Sequence, residues 1–241
     1  MDTVKFDKKN VKIVAHRGLS GIELENTNAA FVAAGNRSYF GIETDVHVTA
    51  DGKYVLHHDD RTGRLTDVDI RIEEISFDEL MKLKLRRSTD TPAMLRRDCV
   101  MPVLDDYIEI CKKYNKTGVL ELKGRITKEH IGGIVKVADR YGYLDKIIFI
   151  SFDWNNLIDL KSLVPEQKAQ YLTSEYSSEL VSRLKANGID LDIHHSALND
   201  TNVHELHANG IEVNCWTCDN SERGEELASY GVDYITSNIL E

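Results

Sequence analysis

The sequence predicts an α/β fold: one TIM-type (β/α)8 barrel with an insertion after the second strand and a reduced C-terminal βα unit. Three observations carry this. Eight short β-branched runs alternate with amphipathic stretches, several of those stretches end at a glycine, and 241 residues is the size of one such barrel. An open doubly wound sheet is the alternative use of the same pattern. The strand runs are residues 12–16, 41–49, 118–123, 147–151, 169–172, 190–193, 211–217 and 233–236. Helical patterns fall between them at about 28–34, 104–114, 128–141, 154–163, 178–186, 202–208 and 222–229. Gly35, Gly142, Gly188, Gly210 and Gly231 stand where helix C-caps call for positive φ.

Residues 50–103 interrupt the alternation with Asp51-Gly52, a short strand at 54–58, polar turn sequence and a helix near 77–83. An excursion from the C-terminal end of a barrel strand lands on the catalytic face. The expected organisation is therefore one catalytic domain over 1–241 that includes this insertion. Only five residues follow Thr236, so the last βα unit is expected to be short, with residues 1–10 over part of the barrel's open end.

Composition narrows the function. Hydrophobic residues make up 41% and charged residues 29%, an ordinary globular balance. The 40 Asp+Glu outnumber the 30 Lys+Arg, a net charge of -10 that disfavours a nucleic-acid or membrane-surface binder. No apolar run approaches the roughly 18 residues of a transmembrane helix, and residues 1–10 alternate charge, so a cytoplasmic location without stable membrane association is expected. Four cysteines are too few for a disulfide scaffold, and Cys215-Trp216-Thr217-Cys218 sits in a strand pattern with no second C-x-x-C to complete a zinc site.

Strand alternation gathers charge inside the barrel. In residues 41–48, Ile42, Val46 and Val48 share one face, and Glu43, Asp45 and His47 share the other. In residues 118–123, Leu120 and Leu122 face the helices while Glu121 and Lys123 face in. Three converging carboxylates call for a cation, and a thiol-free oxygen set suits Mg²⁺ or Ca²⁺; ion pairing with Lys123 is the alternative. His16-Arg17 ends the first strand, and His57-His58 ends the short strand of the insertion. Two histidines, one metal and two fixed cations describe phosphodiester cleavage, one imidazole acting as base and the other as acid.

The ordered set His16-Arg17-Gly18, Glu25-Asn26-Thr27, Glu43-Thr44-Asp45-Val46, Asp51-Gly52, His58-Asp59 with Arg64 and Thr66, Pro102-Val103-Leu104, Glu121-Leu122-Lys123, Ser151-Phe152, Trp216-Thr217 and Gly231-Val232-Asp233 resembles the glycerophosphodiester phosphodiesterase family over residues 12–236. The resemblance implies hydrolysis of a small-molecule glycerophosphodiester to sn-glycerol 3-phosphate and an alcohol. It implies Glu43, Asp45 and Glu121 as ligands of a divalent metal ion, His16 and His58 as the acid/base pair, Arg17 and Lys123 as phosphate contacts, and Trp216 as a contact to the glycerol side. The family spacing selects His58 over His57. Leu24 replaces the family's usual proline, and Thr236-Ser237-Asn238 departs from its usual ending, which is expected to affect the last βα unit and not the site. Two other readings remain open: a lysophospholipase D or sphingomyelinase-type lipid enzyme, disfavoured by a polar insertion with basic Arg86-Arg87 and Arg96-Arg97, and a noncatalytic barrel that binds a phosphorylated ligand.

Overall fold

The computed structural model describes residues 2–86, 96 and 98–241. Its strands are β1 (Lys12–Ala15), β2 (Gly41–Val48), β3 (Tyr54–Leu56), β4 (Thr117–Leu122), β5 (Ile147–Ser151), β6 (Ala169–Thr173), β7 (Asp190–His194), β8 (Val213–Trp216) and β9 (Tyr234–Ser237). Its helices are α1 (Asn28–Gly35), α2 (Phe77–Leu80), α3 (Leu104–Tyr114), α4 (Lys128–Arg140), α5 (Trp154–Leu163), α6 (Ser178–Asn187), α7 (Asp200–Ala208) and α8 (Ser221–Tyr230). The sheet order is β1-β9-β8-β7-β6-β5-β4-β2-β3, and pairing of β1 with β2 closes it. All neighbours except the antiparallel β2 and β3 are parallel. The result is the closed eight-stranded barrel that the strand pattern predicts, and not an open sheet.

Period-two alternation divides the core. Ile13, Ile42, Val46, Leu120, Leu122, Leu191 and Ile193 pack outward with helical residues such as Phe31, Ile134 and Leu206. Val14, Val119, Ile148, Ile150, Leu172 and Tyr234 pack together as the barrel filling. Glu43, Asp45 and Glu121 are buried on the inner alternation. Thr27, Thr127, Asp153, Ser177, Asn199 and Asn220 cap the helices that return the chain, each accepting a backbone N–H in the first turn.

Gly142, Gly188, Gly210 and Gly231 take positive φ at helix ends, but Gly35 does not. Gly35 ends α1, where a Cβ would lie 2.6 Å from the Tyr114 ring, so close packing and not a left-handed cap requires it. The short strand of the insertion ends at Leu56, and α2 ends at Leu80; both are briefer than the sequence pattern suggests. The insertion nevertheless has its own core, in which Leu24 joins Val55, Leu65, Ile72, Leu80, Leu85, Cys99 and Met101. Arg86 is paired with Asp67, and Arg96 with Asp98 and Glu23, so neither is a free basic patch. Arg87 and Arg97 lie outside the described residues.

Beyond β9, residues 239–241 run beside the N-terminal segment. Val4 bridges Leu240, Phe6 and Leu240 both approach Gly224 of α8, and Glu241 accepts the Ser38 backbone N–H. Residues 4–6 therefore pack beside Leu240 and against α8. Among the described residues no helix is long and apolar enough to cross a membrane.

Candidate active site

The site is assembled from chain turns at the C-terminal ends of β1, β2 and β4. Immediately after β1, Arg17 (φ 52°) and Gly18 (φ 73°) are both left-handed. Only glycine fits the second position, because a Cβ there would meet the Ala30 backbone at 2.6 Å. This turn aims the Arg17 backbone N–H at Glu43 Oε2 (2.7 Å) and folds its guanidinium back to Glu25 (2.9 Å) and Asp45 (3.8 Å).

Glu43 and Asp45 from β2 and Glu121 from β4 bring one carboxylate oxygen each within 4.8 Å of the others. Burial, and next the Asp45 charge, push Glu43 well above the usual carboxylate range and Glu121 up to about 8. Burial also acts to raise Asp45, but the Lys123 ammonium, His58 and Arg17 together hold it below its ordinary value. Lys123 lies 3.0 Å from Glu121 and 3.4 Å from Asp45, so the ion pairing that was the sequence alternative is present. It does not complete the cluster, because one ammonium faces three buried carboxylates and approaches Asp45 Oδ1 only at ion-pair distance, without a hydrogen bond. Three buried carboxylates with one ammonium between them, two of the three driven toward protonation, fit a hard divalent cation.

Both candidate imidazoles line the same cavity of about 140 Å³ as Arg17, Glu43 and Glu121. His16 Nδ1 lies 2.8 Å from Asn238 Oδ1, which also accepts from Ser20 (2.6 Å), while Asn238 Nδ2 donates to Asp219 (2.6 Å). The amide orientation is thereby fixed, so His16 Nδ1 carries a hydrogen and Nε2 presents its lone pair, 4.0 Å from Glu43. Burial, followed by the adjacent Arg17 guanidinium, pushes His16 down to about 4. Asn238 belongs to the departure at the chain's end that the sequence suggests is remote from the site. It is in direct contact with it.

His57 is fully buried and does not line the cavity, whereas the next residue, His58, does. His58 Nδ1 pairs with Asp59 (2.8 Å), Asp59 accepts from Arg64 (2.6 Å), and Arg64 forks onto Glu25 (2.7 and 2.9 Å). Glu25 also holds Arg17, so one polar chain links the two histidine-bearing loops. Burial opposes ionisation of Glu25 and Asp59, but their arginine hydrogen bonds prevail and bring each down to about 2. Burial lowers His58, against the opposing pull of Asp45.

Sequence reasoning assigned no role to Asn26 or Asp192. Asn26 (φ 47°) is buried, donates to Asp45 Oδ2 (2.8 Å) and accepts from Thr44 (2.7 Å). Its position beside the N-cap Thr27 is a signal that could have marked it. Trp216 stands at the cavity wall, its indole N–H donating to the Asp192 carbonyl (3.3 Å) and its ring meeting Phe152 at 5.5 Å. Phe152 is half exposed at the rim rather than packed in the core. Asp192, from the inner face of β7, also lines the cavity and is buried.

A family model described as the glycerophosphoryl diester phosphodiesterase family matches residues 16–240. The chain belongs to the glycerophosphoryl diester phosphodiesterase family. Among its relatives, a glycerophosphodiester phosphodiesterase from Caldanaerobacter subterraneus subsp. tengcongensis is 27% identical over 238 residues, covering 95% of this chain and 94% of the relative. A solved phosphodiesterase from Oleispira antarctica, in complex with the product sn-glycerol-3-phosphate, is 29% identical, with a TM-score of 0.88 over 98% of this chain and 96% of that one. A glycerophosphodiester phosphodiesterase structure from Parabacteroides distasonis is 28% identical, with a TM-score of 0.80 and coverage of 95% and 93%. These phosphodiesterases therefore share the barrel over nearly their full length with this family member.

Proposed function

We infer that the protein hydrolyses glycerophosphodiesters to sn-glycerol 3-phosphate and an alcohol. The observation that carries this reading is the pair of imidazoles on one cavity, each with Nδ1 engaged and Nε2 free, beside an acidic triad and two fixed cations. We assign Arg17 and Lys123 to the phosphate, Glu43, Asp45 and Glu121 to a divalent metal ion, and Trp216 to the glycerol side. When bound by the three carboxylates, a Mg²⁺ or Ca²⁺ ion supplies positive charge to the nonbridging phosphate oxygens.

His16 suits the base. Its Nδ1–H is held by a neutral amide and Arg17 disfavours its charged form, so Nε2 is free to accept a proton from the attacking hydroxyl. His58 suits the acid, because Asp59 at its Nδ1 stabilises the imidazolium that gives its Nε2 proton to the leaving oxygen as the P–O bond breaks. The nucleophile is a water or the substrate's own glycerol 2-hydroxyl. In the second case the product of the first step is a cyclic phosphate, which water then opens.

We further propose that residues 1–241 act as one catalytic unit with the insertion beside the cavity mouth, and that the protein works in the cytoplasm on a small soluble substrate; Cys111, Cys215 and Cys218, buried as free thiols, support a reducing compartment. The lipid-enzyme reading draws less support, since among the described residues the insertion's apolar side chains are largely consumed in its own core. Release of glycerol 3-phosphate, measured across glycerophosphocholine, glycerophosphoethanolamine and lysophospholipids with Mg²⁺ or Ca²⁺ restored after chelation, tests all of these. Turnover of lysolipids alone, or tight phosphate binding with no turnover, refutes the reading.

A further inference from the structure

We propose that Asp192 is a specificity-determining residue whose carboxyl hydrogen-bonds the hydroxyl end of the glycerol moiety, so that the pocket favours diesters bearing a polyol over diesters without one. This rests on the glycerophosphodiesterase reading and deepens it. In the closed ring β7 stands four strands from β2 in either direction, directly across the barrel from Glu43 and Asp45. A substrate whose phosphate is held at the triad and histidines therefore points its far end at β7. There the cavity wall is apolar, built from Ile150 and Leu172 with Phe152 and Trp216, and Asp192 is its carboxyl-bearing member.

Asp192 is 1% exposed, and among the described residues nothing hydrogen-bonds its Oδ1. Of the neighbouring inward polar groups, Thr236 donates to Asn214 (3.2 Å) and Asn214 donates to Gln170 (3.0 Å), while Gln170 Nε2, like Asp192 Oδ1, has no hydrogen-bond partner among the described residues. A buried carboxyl left unpaired in an apolar wall is costly, and it is tolerated where a ligand completes it. Burial favours its neutral acid. In that form it both donates and accepts, which matches an uncharged alcohol better than a cationic headgroup.

The test compares kcat/KM for glycerophosphocholine with that for bis(p-nitrophenyl) phosphate, a diester without a polyol, on the metal-loaded enzyme. Asp192→Leu is expected to lower the first by roughly 10- to 100-fold and leave the second within about threefold, and to weaken product inhibition by glycerol 3-phosphate in parallel. Asp192→Asn keeps a donor and an acceptor and is expected to stay within about fivefold of wild type on both. Equal losses on both substrates, no loss on either, an Asn variant as impaired as the Leu variant, or a loss confined to diesters with a cationic alcohol would each overturn the proposal. Wild-type enzyme that cleaves the chromogenic diester but no glycerophosphodiester would instead overturn the reading beneath it.

Discussion

Asn238→Ala is the most informative perturbation of the acid/base pair, because it leaves both histidines in place. The substitution removes the acceptor 2.8 Å from His16 Nδ1 and frees the imidazole to rotate or to carry its hydrogen on Nε2. A net hydrogen bond of about 0.5–1.5 kcal/mol lost from the transition state, where the ring must be held with Nε2 toward the nucleophile, corresponds to a fall in kcat of roughly 2- to 13-fold. KM should move by less than about twofold, since Arg17 and Lys123 keep their positions and a lost orientation is felt mainly in the chemical step. The sign of the pH effect follows from the same contact. Asn238 raises the His16 pKa against burial, so its loss makes protonation harder and moves the acid limb of kcat/KM to lower pH. Steady-state glycerol 3-phosphate release over a pH series reads both quantities. A variant with unchanged kcat and an unmoved acid limb would refute the claim that Asn238 positions the base.

His16→Ala and His58→Ala should each lower kcat by about 10² to 10⁴, measured in the same assay, if both transfer protons. Chelation should abolish turnover, and divalent metal affinity, followed by titration calorimetry, should rise with pH through about 8, because Glu43 and Glu121 must lose protons held by burial and by Asp45. Glu25 has a depressed folded-state pKa, so its contribution to stability is present above the ordinary carboxylate range and is lost as pH falls toward about 2; Glu25→Gln should flatten the acid side of a Tm-versus-pH curve. Gly18→Ala places a Cβ 2.6 Å from the Ala30 backbone at positive φ and should cost about 1–3 kcal/mol or more in urea denaturation, with activity falling as the Arg17 turn is displaced.

The sequence alone determined the barrel and the inward carboxylates, because both depend on local periodicity. Alternation at period two turns Glu43, Asp45 and Glu121 to one side wherever Ile42, Val46, Leu120 and Leu122 are buried on the other. What supports and completes those side chains was decided by the tertiary structure. Asn238 lies 222 residues from His16, and Arg64 lies 39 from Glu25, and no periodicity links such positions. The family spacing already selected His58 over His57, and the structure places His58 on the cavity wall and buries His57. Asp192 reads in sequence as one more strand residue. It becomes part of the site only because closing β1 onto β2 sets β7 opposite the triad, and ring closure is a property of the whole sheet that no single strand encodes.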